Sequence, residues 1–160
     1  MLESSHVKAH CSAAGGKGGV GASGWSLARR QNNEIHCLAD TCGRIVAVAL
    51  SPGSIVDISM AQPMLEAMAP NRRLIADKAY DAYQLRYWFV ERGIEAVIPG
   101  RARRKVAYPL NRAAYRHRNI IKRVFGKLRN WKRIATRYDR LAVNYLAAIA
   151  LVALATQWLR

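Results

Sequence analysis

The stretch RRLIADKAYDAYQLRYWFVERGIEAVIPG, residues 72–100, contains three consecutive patterns that decide the fold. Residues 72–80 centre on an apolar run and predict a β-strand. Residues 81–93 place large apolar side chains on one face of a helix, which Gly93 ends. Residues 94–100 are a second short apolar run. A strand, a helix and a strand in this order predict a βαβ unit, and therefore an α/β fold.

The segments around this unit extend the sheet and add helices. Residues 34–40 and 44–50 are rich in β-forming residues, and the Thr-Cys-Gly between them predicts a hairpin. A helix is predicted over residues 56–68. In residues 111–131 apolar side chains recur at helical spacing, and the other faces carry mostly Arg and Lys. Trp131 follows this apolar face and is predicted to lie in the core. The order predicts a mixed sheet with flanking helices and long C-terminal helices.

The composition indicates one domain with a polyanionic partner. A chain of 160 residues has the size of a single domain, and 51% hydrophobic residues can supply a core. Lys and Arg number 26 against 10 Asp and Glu, which gives a formal net charge of +16. Because cations that neutralise phosphates release counterions, we expect a nucleic-acid partner, with an anionic membrane surface as the weaker alternative.

The cysteines indicate a reducing compartment. Cys11, Cys37 and Cys42 have no CxxC spacing, which argues against a disulfide framework or a zinc knuckle. The first residues contain no apolar signal-peptide core. We therefore expect a cytoplasmic protein with reduced thiols.

The glycine-rich segment GGKGGVGAS, residues 15–23, resembles a Walker-type phosphate loop. Such a loop surrounds phosphates with backbone N–H groups, and a lysine supplies charge. Ala22 stands where that lysine is needed, and the preceding segment is not a buried apolar strand. A nucleotide-binding function is therefore disfavoured, and we expect a glycine loop in which Lys17 contacts a phosphate of DNA.

The segment LAVNYLAAIALVALATQWL, residues 141–159, is uncharged over 19 residues. That length is close to the roughly 20 residues that span a bilayer. It is rich in alanine, however, and contains Asn144, Thr156 and Gln157. A helix covered by protein is the preferred interpretation, and a membrane span is the alternative.

Asp77 is the carboxylate best placed for chemistry. It follows the apolar core of the predicted strand, and α/β sheets build their sites at strand ends. On the pattern alone, a structural role is about equally supported, because Asp77 could cap the following helix or pair with Lys78.

Three segments together resemble the DDE-type insertion-sequence transposases of the insertion-sequence-five group. They are SSHVKAHCSAAGGKGG (4–19), LIADKAYD (74–81) and YRHRNIIKRVFGKLRNWKRIATRYDRLAVNYLAAIAL (115–151). The resemblance implies a single RNase H-like catalytic domain over residues 1–160. In that fold three carboxylates hold two Mg²⁺ ions, which activate water or a 3′-hydroxyl to attack a DNA phosphodiester.

The resemblance assigns the acidic positions one by one. Asp77 matches the family's second acid. Glu3 stands where the family has its first aspartate, so Glu3 and Asp77 are the expected metal ligands. Tyr115 and Arg118 match the motif that precedes the third acid, but Lys122 occupies the third acid's position. Because Lys122 places a cation where a metal ligand is needed, we expect strand cleavage and transfer to be impaired.

The resemblance also implies what surrounds this site. The chain begins two residues before the first acid, so we expect a truncated first strand and no N-terminal DNA-binding region. The expected partners are DNA and further copies of the chain on paired DNA ends, in the nucleoid of a bacterial cytoplasm. No small-molecule substrate is expected.

The expected DNA contacts are mostly Arg and Lys, which position DNA without reading its sequence. The alternative function is that of a basic DNA-binding protein without catalysis. The candidate side chains are Lys17, Arg29, Arg30, Lys78, Arg101, Arg103, Arg104, Lys105, Tyr115, Arg118, Arg123 and Lys127.

Overall fold

A computed structural model describes residues 1–10, 13, 33–52, 57–68, 72–102 and 108–157. The glycine segment 15–23 lies outside these residues. The strands are β1 (Leu2–Ala9), β2 (Asn33–Ala39), β3 (Ile45–Pro52), β4 (Arg73–Ile75), β5 (Glu95–Val97) and β6 (Thr136–Arg137). The helices are α1 (Asp57–Glu66), α2 (Tyr83–Glu91), α3 (Arg112–Arg116), α4 (Asn119–Arg129), α5 (Lys132–Ala135) and α6 (Ala142–Gln157).

Four strands form a mixed sheet in the order β3-β2-β1-β6. The predicted hairpin is confirmed as β2 and β3, which pair antiparallel. β1 runs antiparallel to β2, with Glu3 opposite Cys37, and β6 joins the other edge of β1 in parallel. The sequence pattern had not indicated β6, which has two residues.

The βαβ unit is confirmed, but it is separate from this sheet. β4 and β5 pair in parallel as a two-stranded sheet, and α2 connects them. The prediction of a strand over residues 72–80 is wrong at its C-terminal end. β4 ends at Ile75, and the Asp77 side chain accepts a hydrogen bond from the backbone N–H of Ala79 at 2.6 Å. That bond caps a 3₁₀ turn over Lys78–Tyr80, which takes the chain out of the extended conformation.

The two faces of the four-stranded sheet contribute to two different apolar clusters. On one face, Leu2 and Leu38 pack with α1 and α2, including the fully buried Phe89. On the other face, Val7 and Ile35 pack with α4 and α6. Because side chains alternate between the faces of a strand, Glu3 lies on the same face as Val7, towards α4.

The apolar stripe predicted over residues 111–131 is confirmed in α4, where Ile121, Val124, Phe125 and Leu128 are buried. The prediction of one continuous helix over residues 111–131 is wrong. His117 and Arg118 donate backbone hydrogen bonds to residues three positions earlier, so α3 ends in a tight turn before α4 begins. Trp131 is 48% exposed, so its predicted core position is wrong: α4 ends at Arg129, and the apolar stripe ends with it.

The C-terminal helix α6 buries one side only. Tyr145, Ile149 and Ala153 face the sheet, while Val143 and Leu151 are exposed. No helix within the described residues combines the length and the apolar character needed to cross a bilayer.

Candidate functional site

Three elements bring the predicted acidic positions together. Glu3 projects from β1 towards α4, and Asp77 follows β4 by two residues. A small apolar cluster of Ile75, Val97 and Ala114 packs the β4–β5 pair against α3. This packing places the junction of α3 and α4, which carries Arg118, beside both carboxylates.

The guanidinium of Arg118 joins these two carboxylates. Its Nε and Nη2 donate to the two oxygens of Glu3 at 2.9 and 2.7 Å, a bidentate ion pair. The same Nη2 lies 3.3 Å from Oδ2 of Asp77. Nη1 donates to the hydroxyl of Tyr115 at 3.2 Å. Sequence reasoning selected all four residues, but it did not predict that Arg118 bonds to both acids.

The cluster is only partly hydrated, which affects its titration. The side chains of Glu3 and Arg118 are 15% and 16% exposed. Burial raises the pKa of Glu3 above its ordinary value of 4.5, and the bonds and charge of Arg118 act in the opposite direction. The charge of Asp77 adds to the rise, while that of Lys122 lowers the pKa. Burial works to lower the pKa of Arg118, but Glu3 raises it overall.

Lys122 lies one helical turn after Arg118, beside a cleft between β1 and α4. The cleft has a volume of about 260 Å³ and is also lined by Glu3, Ser5 and Arg129. Arg129 donates a hydrogen bond from Nη2 to the Ser5 hydroxyl. Lys122, which stands at the position predicted for the third acid, therefore lies in the same cleft as Glu3.

A second ion-pair network holds the turn that carries Asp77. Asp81 is 2% exposed and accepts hydrogen bonds from Nε of Arg86 at 2.7 Å and from the backbone N–H of Arg101 at 2.8 Å. Arg86 also donates to the carbonyl oxygen of Ile98 at 2.6 Å. Sequence reasoning missed this network. Asp81 and Arg86 are five positions apart around a helix start, a spacing that on its own suggests an ordinary surface pair.

Arg101 uses its side chain within the protein. Its Nη2 and Nε donate to the carbonyl oxygens of Ala79 and Lys78 at 2.9 and 3.3 Å. The guanidinium therefore holds the turn beside Asp77. Its predicted contact with DNA stays a prediction.

The other predicted DNA contacts fall into three groups. Lys78, Arg123 and Lys127 are exposed, the last two on the outer side of α4. Tyr115 and Arg118 belong to the acidic site. The predicted contacts that lie outside the described residues are Lys17, Arg29, Arg30, Arg103, Arg104 and Lys105.

Comparison with known proteins places this arrangement in a family. Residues 4–158 match the family described as "Transposase DDE domain". The chain belongs to this family. The match begins one residue after Glu3, so it includes Asp77 and Lys122 but not Glu3.

Two relatives have matching names. The chain is 29% identical over 129 residues to the "Putative transposase for insertion sequence element IS6501" of Brucella ovis, which covers 79% of the chain and 98% of that protein. It is 27% identical over 124 residues to the "Putative transposase for insertion sequence element IS402" of Burkholderia cepacia. That match covers 71% of the chain, and the chain spans about half (56%) of that relative's length.

Transposases of this family use a divalent metal ion, but the acidic positions of this chain do not fit one well. Both oxygens of Glu3 accept bonds from Arg118, and one Asp77 oxygen shares the same guanidinium. The other Asp77 oxygen accepts the N–H of Ala79. Across the described residues, no group of three or more His, Cys, Asp or Glu side chains could hold a metal ion.

Proposed function

We propose that the chain is a DNA-binding catalytic domain of an insertion-sequence transposase, of the insertion-sequence-five group, with impaired metal-dependent strand cleavage. The observation that supports impairment is the position of Lys122. This residue lies in the same cleft as Glu3, and its charge acts to lower the pKa of Glu3. The proposal includes an RNase H-like fold over residues 1–160 and localisation at the nucleoid in a bacterial cytoplasm.

DNA binding follows from the family and from charge. The chain carries a formal net charge of +16. Arg123 and Lys127 lie exposed on α4, the helix that also carries Lys122. Cations on this helix attract the DNA backbone towards the acidic site, since phosphate contacts bind independently of sequence.

Impaired cleavage follows from the charge at the third-acid position. Two-metal phosphodiester cleavage depends on anionic oxygen ligands around the ions. Glu3 and Asp77 supply two carboxylates, and Lys122 supplies a positive charge where the family has a third. Replacing a carboxylate with an ammonium removes a ligand and adds electrostatic repulsion towards a divalent cation.

A strand-cleavage assay tests this function. The substrate is plasmid DNA that carries the gene with its flanking sequence, incubated with Mg²⁺. We expect little cleavage by the unmodified chain and more by the Lys122→Glu variant. Lys132→Glu is the matched control, because it makes the same charge change at an exposed position of the next helix, α5, outside the cleft. Robust cleavage by the unmodified chain would contradict the proposed impairment.

The alternative function is DNA binding without catalysis, and the bonds between Arg118 and both carboxylates favour it. It predicts that duplex DNA binds with a steep salt dependence and with the same affinity in Mg²⁺ and in EDTA. It also predicts that the Lys122→Glu variant stays inactive.

Size-exclusion chromatography of the DNA complex tests the expected homo-oligomer.

A further inference from the structure

We propose that Arg118 is the resident cation of the Glu3–Asp77 pair and that it keeps divalent metal ions away from both carboxylates. The inference deepens the proposed function and takes its biological meaning from it. It concerns a different residue from the impairment argued above, because Lys122 removes a ligand, whereas Arg118 occupies the ligands that remain.

The first support is that the guanidinium uses all three of its nitrogens within the cluster. Nε and Nη2 form the bidentate pair with Glu3, Nη2 also reaches Asp77, and Nη1 bonds to Tyr115. Charge-assisted bidentate pairs are among the stronger hydrogen-bonded contacts in proteins. A metal ion that takes the place of the guanidinium on Glu3 must therefore break two such bonds.

The second support is that the backbone fixes Arg118 in this position. The N–H of Arg118 bonds to the carbonyl of Tyr115 at 3.0 Å, and its own carbonyl accepts the N–H of Lys122 at 3.4 Å. Arg118 thus belongs to the turn that links α3 to α4. Tyr115, which bonds to the guanidinium, lies on the preceding turn and packs against the cluster of Ile75, Val97 and Ala114. In this backbone conformation the Arg118 guanidinium bonds to both acids.

The third support is the balance of charge. Glu3 and Asp77 carry two negative charges, and Arg118 and Lys122 carry two positive charges. A divalent cation added to this cluster would leave a surplus of two positive charges unless Arg118 moves away. Because the cluster is partly buried, this surplus is poorly screened by water. The protein's own cations have already neutralised the acids.

The experiment measures metal binding in the DNA-free protein, with Lys122 unchanged. The concentration of free Mn²⁺ is followed by electron paramagnetic resonance during titration of the unmodified chain, Arg118→Ala and Arg116→Ala. Arg116 is an exposed arginine of α3, two residues away, and its removal changes the net charge equally. We expect Arg118→Ala to bind Mn²⁺ about tenfold more tightly than the unmodified chain, because a cation in direct contact with a carboxylate weakens its binding of a second cation by about this factor or more. Arg116→Ala should stay within about twofold of the unmodified chain, because the charge of Arg116 is exposed to water and salt and makes no contact with either carboxylate.

Two results overturn the inference. One is Mn²⁺ binding by the unmodified chain that is as tight as that of Arg118→Ala. The other is a folded Arg118→Ala variant, shown by circular dichroism, without a gain in affinity. The gain must also disappear when Asp77→Asn is added, or the metal binds elsewhere and the inference fails.

A second measurement covers the case in which Arg118→Ala does not fold. In the ¹⁵N-labelled unmodified chain, the Nε–H signal of Arg118 is observed by NMR while Mn²⁺ is added. We expect this signal to broaden no earlier than the side-chain signals of other arginines. Selective early broadening at Arg118 shows a metal at the carboxylates and overturns the inference. Neither measurement uses DNA, so a failure of DNA binding or cleavage is recorded separately.

Discussion

The guanidinium of Arg86 donates a hydrogen bond from Nε to the Asp81 carboxylate at 2.7 Å, and both side chains are almost fully buried. The same carboxylate accepts a hydrogen bond from the backbone N–H of Arg101, and Arg86 donates one to the carbonyl oxygen of Ile98. Asp81 therefore ties the segment after β5 to the turn that follows Asp77. Asp81 lies four residues after Asp77, and its bonds stabilise the backbone conformation around Asp77.

Replacing Asp81 with Asn is expected to destabilise the protein strongly. Asn has the same shape, but it leaves the buried Arg86 without a counter-charge, and breaking such pairs costs about 3–5 kcal/mol. The matched control is Glu95→Gln, which breaks the exposed pair with Arg73 and should cost less than about 1 kcal/mol. Urea denaturation measures both free energies of unfolding. Equal losses would show that Asp81 is no more important than a surface pair.

The elements that could be predicted from the sequence are those with local signals. The α4 stripe repeats at helical spacing, and the β2–β3 hairpin is marked by its turn. The hairpin was predicted with close to its observed bounds, whereas the helix predicted over residues 111–131 is divided into α3 and α4. β6 could not be predicted, because a two-residue strand has no periodicity. The end of β4 depends on one side-chain bond from Asp77 to the chain beside it. A hydrophobicity pattern does not contain that bond.

The site shows the same division between local and long-range information. Its acidic positions came from a resemblance to a family, residue by residue. The bonds between Arg118 and Glu3 could not be predicted from the sequence, since the two residues are 115 positions apart and meet only through packing of β1 against α4. Asp81 was missed for a related reason. Its burial depends on β5 and on the chain after it, which come after α2 in the sequence.

The two glycines with positive φ should respond differently to alanine. Gly43 (φ 81°) and Gly93 (φ 64°) both adopt the left-handed conformation, which costs a residue with a Cβ roughly 1–2 kcal/mol. A Cβ at Gly93 meets no atom within 4 Å, whereas a Cβ at Gly43 would lie 2.9 Å from Cγ2 of Ile120. We expect Gly93→Ala to lose about 1 kcal/mol and Gly43→Ala to lose more. Thermal denaturation compares them, and an equal loss would argue against close packing of the β2–β3 turn on Ile120.

The β2–β3 turn should be weakened by acid through Asp40. Its carboxylate accepts hydrogen bonds from the N–H groups of Cys42 and Arg44 and from the Arg44 guanidinium. Burial acts to raise the pKa of Asp40, but these bonds and the charge of Arg44 together lower it below its ordinary value of 3.8. A carboxyl whose pKa is lower in the folded state stabilises the protein above its unfolded pKa, and this contribution is lost as the pH falls through the folded pKa.

The Asp40→Asn variant tests this pH dependence. It should be less stable than the unmodified chain at neutral pH, and the difference should shrink as the pH falls below the ordinary value of 3.8. Denaturation at a series of pH values, at constant ionic strength, gives the two curves. Parallel curves across the acid range would show that the Asp40 charge does not contribute to the stability of the turn.

The exposed cations of α4 should account for part of the salt dependence of DNA binding. Arg123 and Lys127 are exposed on this helix, and the structure shows no ion pair for either within the residues it describes. If each contacts one phosphate, the double variant Arg123→Ala/Lys127→Ala should reduce the slope of log K against log salt by about 2. Arg73→Ala is the control, because that charge is already paired with Glu95. Fluorescence anisotropy with a labelled duplex at several salt concentrations gives the slopes. A slope that is unchanged in the double variant, or reduced as much by Arg73→Ala, would place the DNA on another surface.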